Sequence, residues 1–87
     1  MLTRKEKIIS KILSGSADAN LMFDDLHNLL LSLGFEVRIR GSHHIYRNQR
    51  VEEKVNLQKD NKNAKPYQVK QIRAILLKYR FLIEEEA

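Results

Sequence analysis

The sequence predicts an α+β domain: a three-stranded antiparallel sheet with helices on one face, in the order α-β-β-β-α, preceded by an extra N-terminal helix. Three observations carry this. Apolar and polar residues alternate on both sides of Gly41-Ser42, the pattern of a tight β-hairpin. Two segments, 21–33 and 66–80, repeat apolar residues at helical spacing. With 87 residues there is room for one small core, so helices and sheet must share it.

The elements follow in chain order. Residues 3–13 place Ile8, Ile9, Ile12 and Leu13 on one side of a short helix and Arg4, Lys7 and Lys11 opposite. Ser14-Gly15-Ser16 stops it, and a polar linker runs to Asn20. A second helix is expected over 21–33, with Asn20 as its cap and Asp24 and Asp25 at the positive end of its dipole. Phe23, Leu26, Leu29, Leu30 and Leu33 form its apolar stripe, and Gly34 supplies a left-handed stop. Strands are expected near 35–40, 43–48 and 54–58, with a loop from Asn48 to Lys54. Val55 and Leu57 point inward. Residues 59–64 are a solvated connection rich in turn formers. Pro66 opens the last helix, which buries Val69, Ile72, Ile75, Leu76 and Tyr79. Phe81-Leu82-Ile83 can extend that helix, fold back on it or meet a partner. The chain thus divides into an N-terminal helix and linker (1–20), the main domain (21–83) and an acidic tail (84–87).

Composition narrows the partners. The net charge of +5 favours an acidic partner such as nucleic acid. Residues 66–83 carry Lys70, Arg73, Lys78 and Arg80 with no acid, and 34–50 carries four arginines against Glu36. A basic surface built from the hairpin and the final helix is therefore expected. No cysteine is present, so disulfides and thiolate metal sites are excluded and the cytoplasm is the expected location. The apolar runs, Leu29-Leu30-Leu31 among them, are far too short to span a bilayer, and no helix pairs a basic face with exposed large apolar residues. No membrane partner is expected.

The hairpin carries the chemistry. A two-residue loop at Gly41-Ser42 pairs Arg40 with His43, Ile39 with His44, Arg38 with Ile45 and Val37 with Tyr46. Strand alternation then puts Val37, Ile39, His44 and Tyr46 toward the core and Arg38, Arg40, His43 and Ile45 toward water. Arginine forks hold phosphate, and histidine moves protons near neutral pH, so this face could hold and cut a phosphodiester. Ordinary solvated strand residues account for the same pattern, and short basic hairpins are common. His44 reads as a packed, hydrogen-bonded residue, Tyr46 as core and His27 as a surface or boundary residue. His43 and His44 point to opposite faces, so they cannot chelate one ion, and no metal or other cofactor is expected.

These residues carry a resemblance. The segment Phe23 to Leu33 followed by Gly34-Phe35, then Gly41-Ser42-His43, an aromatic at Tyr46 and a proline-started last helix resemble the HicA family of small bacterial toxins. The resemblance covers about residues 22–80. It implies a fold similar to the double-stranded-RNA-binding domain and the activity of an endoribonuclease that cleaves mRNA. It also implies that His43 is catalytic and that a HicB-type antitoxin covers the site. RNA brings its own nucleophile, the 2′-hydroxyl. His43 would then act as general base or acid, and Arg38, Arg40 and Arg47 would hold phosphate, with Lys70 and Arg73 as secondary contacts. The N-terminal helix and the acids Glu52 and Glu53 depart from the family pattern. A non-catalytic RNA-binding or regulatory module with the same fold is the alternative, and it has no need of an imidazole beside the arginines.

Overall fold

The computed structural model describes residues 2–59 and 61–84, so the acidic tail beyond Glu84 lies outside the described residues. The first helix, α1 (Arg4–Ser14), begins at a capping box. The Thr3 hydroxyl accepts from the Glu6 backbone N–H at 3.1 Å, and the Glu6 carboxylate accepts from the Thr3 N–H at 2.9 Å. Its Ile8 and Ile12 are buried in the same core as the rest of the chain.

Helix α2 (Phe23–Ser32) starts two residues later than its apolar spacing suggests, and Asn20 does not cap it. The reason lies in the backbone. Leu21 and Met22 are drawn into an extended pairing with the segment before the last helix: Ala64 N–H donates to Leu21 O at 3.0 Å and Phe23 N–H donates to Lys62 O at 2.9 Å. At the other end Gly34 takes φ 94°, as expected of a left-handed stop. A Cβ there would also sit 3.3 Å from the Asn48 amide, which donates to Leu33 O.

The sheet has the order β1 (Glu36–Arg40), β2 (His43–Asn48), β3 (Val51–Gln58), all antiparallel. Gly41 has φ 59° at the first central position of the two-residue loop, the requirement of a type II′ turn. The β1–β2 register is the expected one, with Arg40 opposite His43 and Val37 opposite Tyr46. The third strand is longer than expected and includes residues 51–53. Its register slips between the pairs Tyr46–Val55 and Asn48–Val51, so β3 spends four residues where β2 spends two. Val51 and Val55, four residues apart, are both buried, and the polar run Glu52-Glu53-Lys54 between them gives no sign of the slip.

Helix α3 (Pro66–Lys78) ends two residues earlier than expected because Tyr79 leaves the helical region, at φ −114° and ψ 66°. A short helix, α4 (Phe81–Glu84), then packs back with Leu82 buried. Helix α2 packs on β1 and α3 on β3, while α1 packs against both helices. Leu26, Leu30, Tyr46, Val55, Leu57, Val69 and Leu76 fill the space between helices and sheet with essentially no exposure. Burial of this kind, at about 25 cal/mol per Å² of apolar surface, is what holds a domain of this size together. Ile39, expected against the core, is 60% exposed, because it lies near the end of the edge strand, where no described residue covers it.

Candidate nucleic-acid interface

The sheet divides its side chains by parity. Glu36, Arg38, Arg40, His43, Ile45 and Arg47 alternate with the core-facing set on β1 and β2, and Asn56 and Gln58 continue the outward face on β3. Since β2 is the central strand, His43 has a neighbour on each side: Arg40 on β1 and Gln58 on β3. Directly opposed side chains in such a ladder have Cβ atoms about 5 Å apart, and a diagonal pair such as Arg38 and His43 about 7–8 Å. His43, Arg38, Arg40 and Arg47 are all exposed. Among the described residues, none of these four side chains is engaged in a hydrogen bond or ion pair. Gln58 reaches back across the turn, its amide donating to the Ser42 hydroxyl at 3.4 Å. The face is open, positively charged and carries one imidazole, on the central strand beside the turn.

Gln58 and Asn56 were not among the residues singled out from the sequence. The signal was present, since Val55 and Leu57 facing inward puts both outward, but only the register shows that Gln58 borders His43.

His44 lies on the covered side. Its ring meets Phe23 edge-on at 4.8 Å between centroids, and its Nδ1 is buried without a hydrogen-bond partner among the described residues. It is therefore packed as expected but lacks, at that atom, the expected hydrogen bond. His27 is a boundary residue with a defined contact: its Nδ1 stands 2.7 Å from the Tyr46 hydroxyl. Burial pushes the Tyr46 phenol up to about 12, so it stays protonated at neutral pH. Tyr46 is core.

The basic surface expected to join the hairpin to the last helix is divided. Lys70 and Arg73 belong to α3, in the helical layer, while the hairpin arginines leave the opposite face of the sheet. Arg73 is also occupied. Its guanidinium grips Asp18 with two hydrogen bonds of 2.9 and 3.0 Å and donates to Ile12 O at 2.9 Å. The hydrogen bonds from Arg73 hold the Asp18 carboxyl below its ordinary range. This bidentate clasp secures the linker after α1 to α3, so Arg73 here has structural work. Lys70 remains exposed on the helix.

The two acids on β3 also part company. Glu53 turns to α3, where Lys78 Nζ donates to one carboxylate oxygen at 2.9 Å and the Tyr79 hydroxyl to the other at 2.7 Å. Those hydrogen bonds, Lys78 first, hold Glu53 at about 2. Glu52 is exposed on the outward side. Among the described residues no three His, Cys, Asp or Glu side chains gather into a group that could hold a metal ion, and no helix is long and apolar enough to cross a membrane.

Fold and face together define a small basic α+β domain with one open sheet surface suited to a polyanion. The chain matches, over residues 23–79, the family described as HicA toxin of bacterial toxin-antitoxin. It belongs to the HicA toxin family. No curated protein and no solved structure matches it. The matched segment begins at α2, so α1 and its linker lie outside it and are joined to it through the shared core and the Arg73–Asp18 clasp.

Proposed function

We propose that this toxin is a metal-independent endoribonuclease that cleaves mRNA on the open face of the sheet, with His43 as the proton-transfer residue. The observation that supports it best is the placement of His43: exposed, on the central strand beside the turn, between Arg40 and Gln58. In this reading His43 takes the proton of a ribose 2′-hydroxyl. The 2′-oxygen bonds to the adjacent phosphorus, the bond from phosphorus to the 5′-oxygen breaks, and that oxygen takes a proton from solvent. The products are a 2′,3′-cyclic phosphate and a free 5′-hydroxyl. Arg38 and Arg40 stabilise the negative charge that builds on the phosphate, and Arg47 holds the strand further along β2. Apart from water as the proton donor, the chain and the RNA suffice for this step, because RNA supplies the nucleophile. Lys70, on the far layer, is at most a peripheral contact.

A HicB-type antitoxin that neutralises such an enzyme would have to cover His43, which no described residue of the chain itself does. The second reading, an RNA-binding module without cleavage, draws on the fact that the open face holds one imidazole and no second group of that kind. Cleavage of a long single-stranded RNA in EDTA separates the two. The parent chain should cut and His43→Ala should not, with RNA affinity nearly unchanged. Equal cutting by both would end the assignment to His43, and no cutting by the parent would favour the binding module.

A further inference from the structure

At the end of the hairpin away from Gly41 the surface folds into a groove of about 860 Å³. Its walls include Glu36 and Arg47 from the open face, Arg50 and Glu52 at the β2–β3 turn, and Phe81 from α4. Glu36 and Arg47 are cross-strand partners, so the groove continues the face that carries His43. Arg47 lies four residue steps along β2 from His43, about 13 Å. A strand of RNA lying along β2 would enter the groove beyond the nucleotide being cut.

The lining is unusual for a phosphate site. Two arginines are matched by two carboxylates, which repel phosphate. A carboxylate, however, accepts hydrogen bonds from the amino groups on base edges. The groove also offers a stacking platform, since the Arg50 guanidinium carbon lies 4.0 Å from the centre of the Phe81 ring. Unpaired bases in RNA complexes stack on aromatic rings and on guanidinium planes. Of the two neighbouring acids, Glu53 has both oxygens committed to Lys78 and Tyr79, which leaves Glu52 as the acid of β3 turned to the groove.

We infer that this groove receives one unpaired base of the bound RNA strand, a base with an exocyclic amino group. The base stacks on the Arg50–Phe81 pair, and the Glu52 carboxylate accepts from its amino group. The inference rests on the RNA reading of the open face and deepens it into a base preference. Cytosine and uracil make the cleanest comparison, because at the ring position concerned one carries an amino group and the other a carbonyl. The test measures binding of short oligocytidine and oligouridine by the full-length His43→Ala chain, with and without Glu52→Ala. Oligocytidine should bind about tenfold more tightly than oligouridine, the scale of one good base-edge contact. Glu52→Ala should bring oligocytidine down to the level of oligouridine and leave oligouridine at least as well bound, with an unchanged melting temperature. Equal binding of the two homopolymers, or a preference that survives Glu52→Ala, would overturn the base site while leaving the RNA face standing. Binding of neither homopolymer would overturn both.

Discussion

His43 and His44 are adjacent in the chain, yet one stands exposed between Arg40 and Gln58 and the other packs edge-on against Phe23 under α2. Glu52 and Glu53 repeat the contrast on β3: one faces the outer groove, the other is tied down by Lys78 and Tyr79. In each pair the residue type is the same and only the strand parity differs. What separates them is therefore the environment, through solvent access, partners and packing. On the open face the side chains of His43, Arg38, Arg40 and Arg47 stand exposed. On the other side Glu53 ties β3 to the end of α3, and His44 packs under α2.

The largest expected effect belongs to His43. Its replacement by alanine should lower the rate of RNA cleavage by about 10²–10⁴, the usual contribution of a positioned proton-transfer group. Thermal stability should move by less than about 0.5 kcal/mol, because the side chain is exposed. A single preparation examined by cleavage assay and thermal melt checks both. A large drop in melting temperature would show that His43 is not the free group that its exposure indicates.

Next in size is a matched pair on β3. Leu57 is fully buried opposite His44, while Asn56 faces outward opposite Ile45. Leu57→Ala should cost about 2–5 kcal/mol in urea unfolding, from lost burial plus the cavity left behind. Asn56→Ala should cost under about 0.5 kcal/mol. Comparable losses would mean that the outward face is covered in solution.

Much of this division was legible before any coordinates. A two-residue turn at Gly41-Ser42 fixes the β1–β2 register, and the register fixes which histidine faces water, since a slip of one residue would exchange them. The apolar stripes of α2 and α3 were equally plain. Less legible were features that depend on contacts distant in sequence. Asn20 and Leu21 read as the start of a helix until the Leu21–Ala64 and Phe23–Lys62 hydrogen bonds pull that backbone straight. Arg73 reads as one more cation on a basic helix, because Asp18 lies 55 residues away. The register slip in β3 has no local signature, and beyond it Val51 and Glu52 line the groove.

A smaller effect sharpens the view of His44. Removing its ring uncovers part of Phe23 and Tyr46's layer, so His44→Ala should lower stability by about 1–2 kcal/mol. Its Nδ1 is buried without a partner, however, and an unpaired buried polar atom is itself destabilising. His44→Leu, which fills the space and removes that atom, should therefore match or exceed the parent in urea unfolding. If His44→Leu is as damaged as His44→Ala, the imidazole has a hydrogen-bonding duty through its other nitrogen. Neither variant should impair cleavage beyond its effect on folding.

The smallest effect is the pH dependence contributed by Glu53, and the contrast with Glu52 makes it testable. The hydrogen bonds from Lys78 and Tyr79 hold the folded-state Glu53 at about 2, against 4.5 for an unperturbed glutamate. A carboxyl whose folded value is depressed stabilises the fold fully above the unfolded value and loses that contribution as the pH falls through the folded one. The window is thus from 4.5 down to about 2. Across it the melting temperature of the parent should fall more steeply than that of Glu53→Gln, which cannot take up the proton. The variant should be the less stable of the two at neutral pH, and the curves should converge at the acid end. Glu52→Gln, at a side chain that makes neither of these hydrogen bonds, serves as the control. If Glu53→Gln runs parallel to the parent, the tie between β3 and the end of α3 carries no charge-dependent stability, and parity alone would not account for the difference between the two acids.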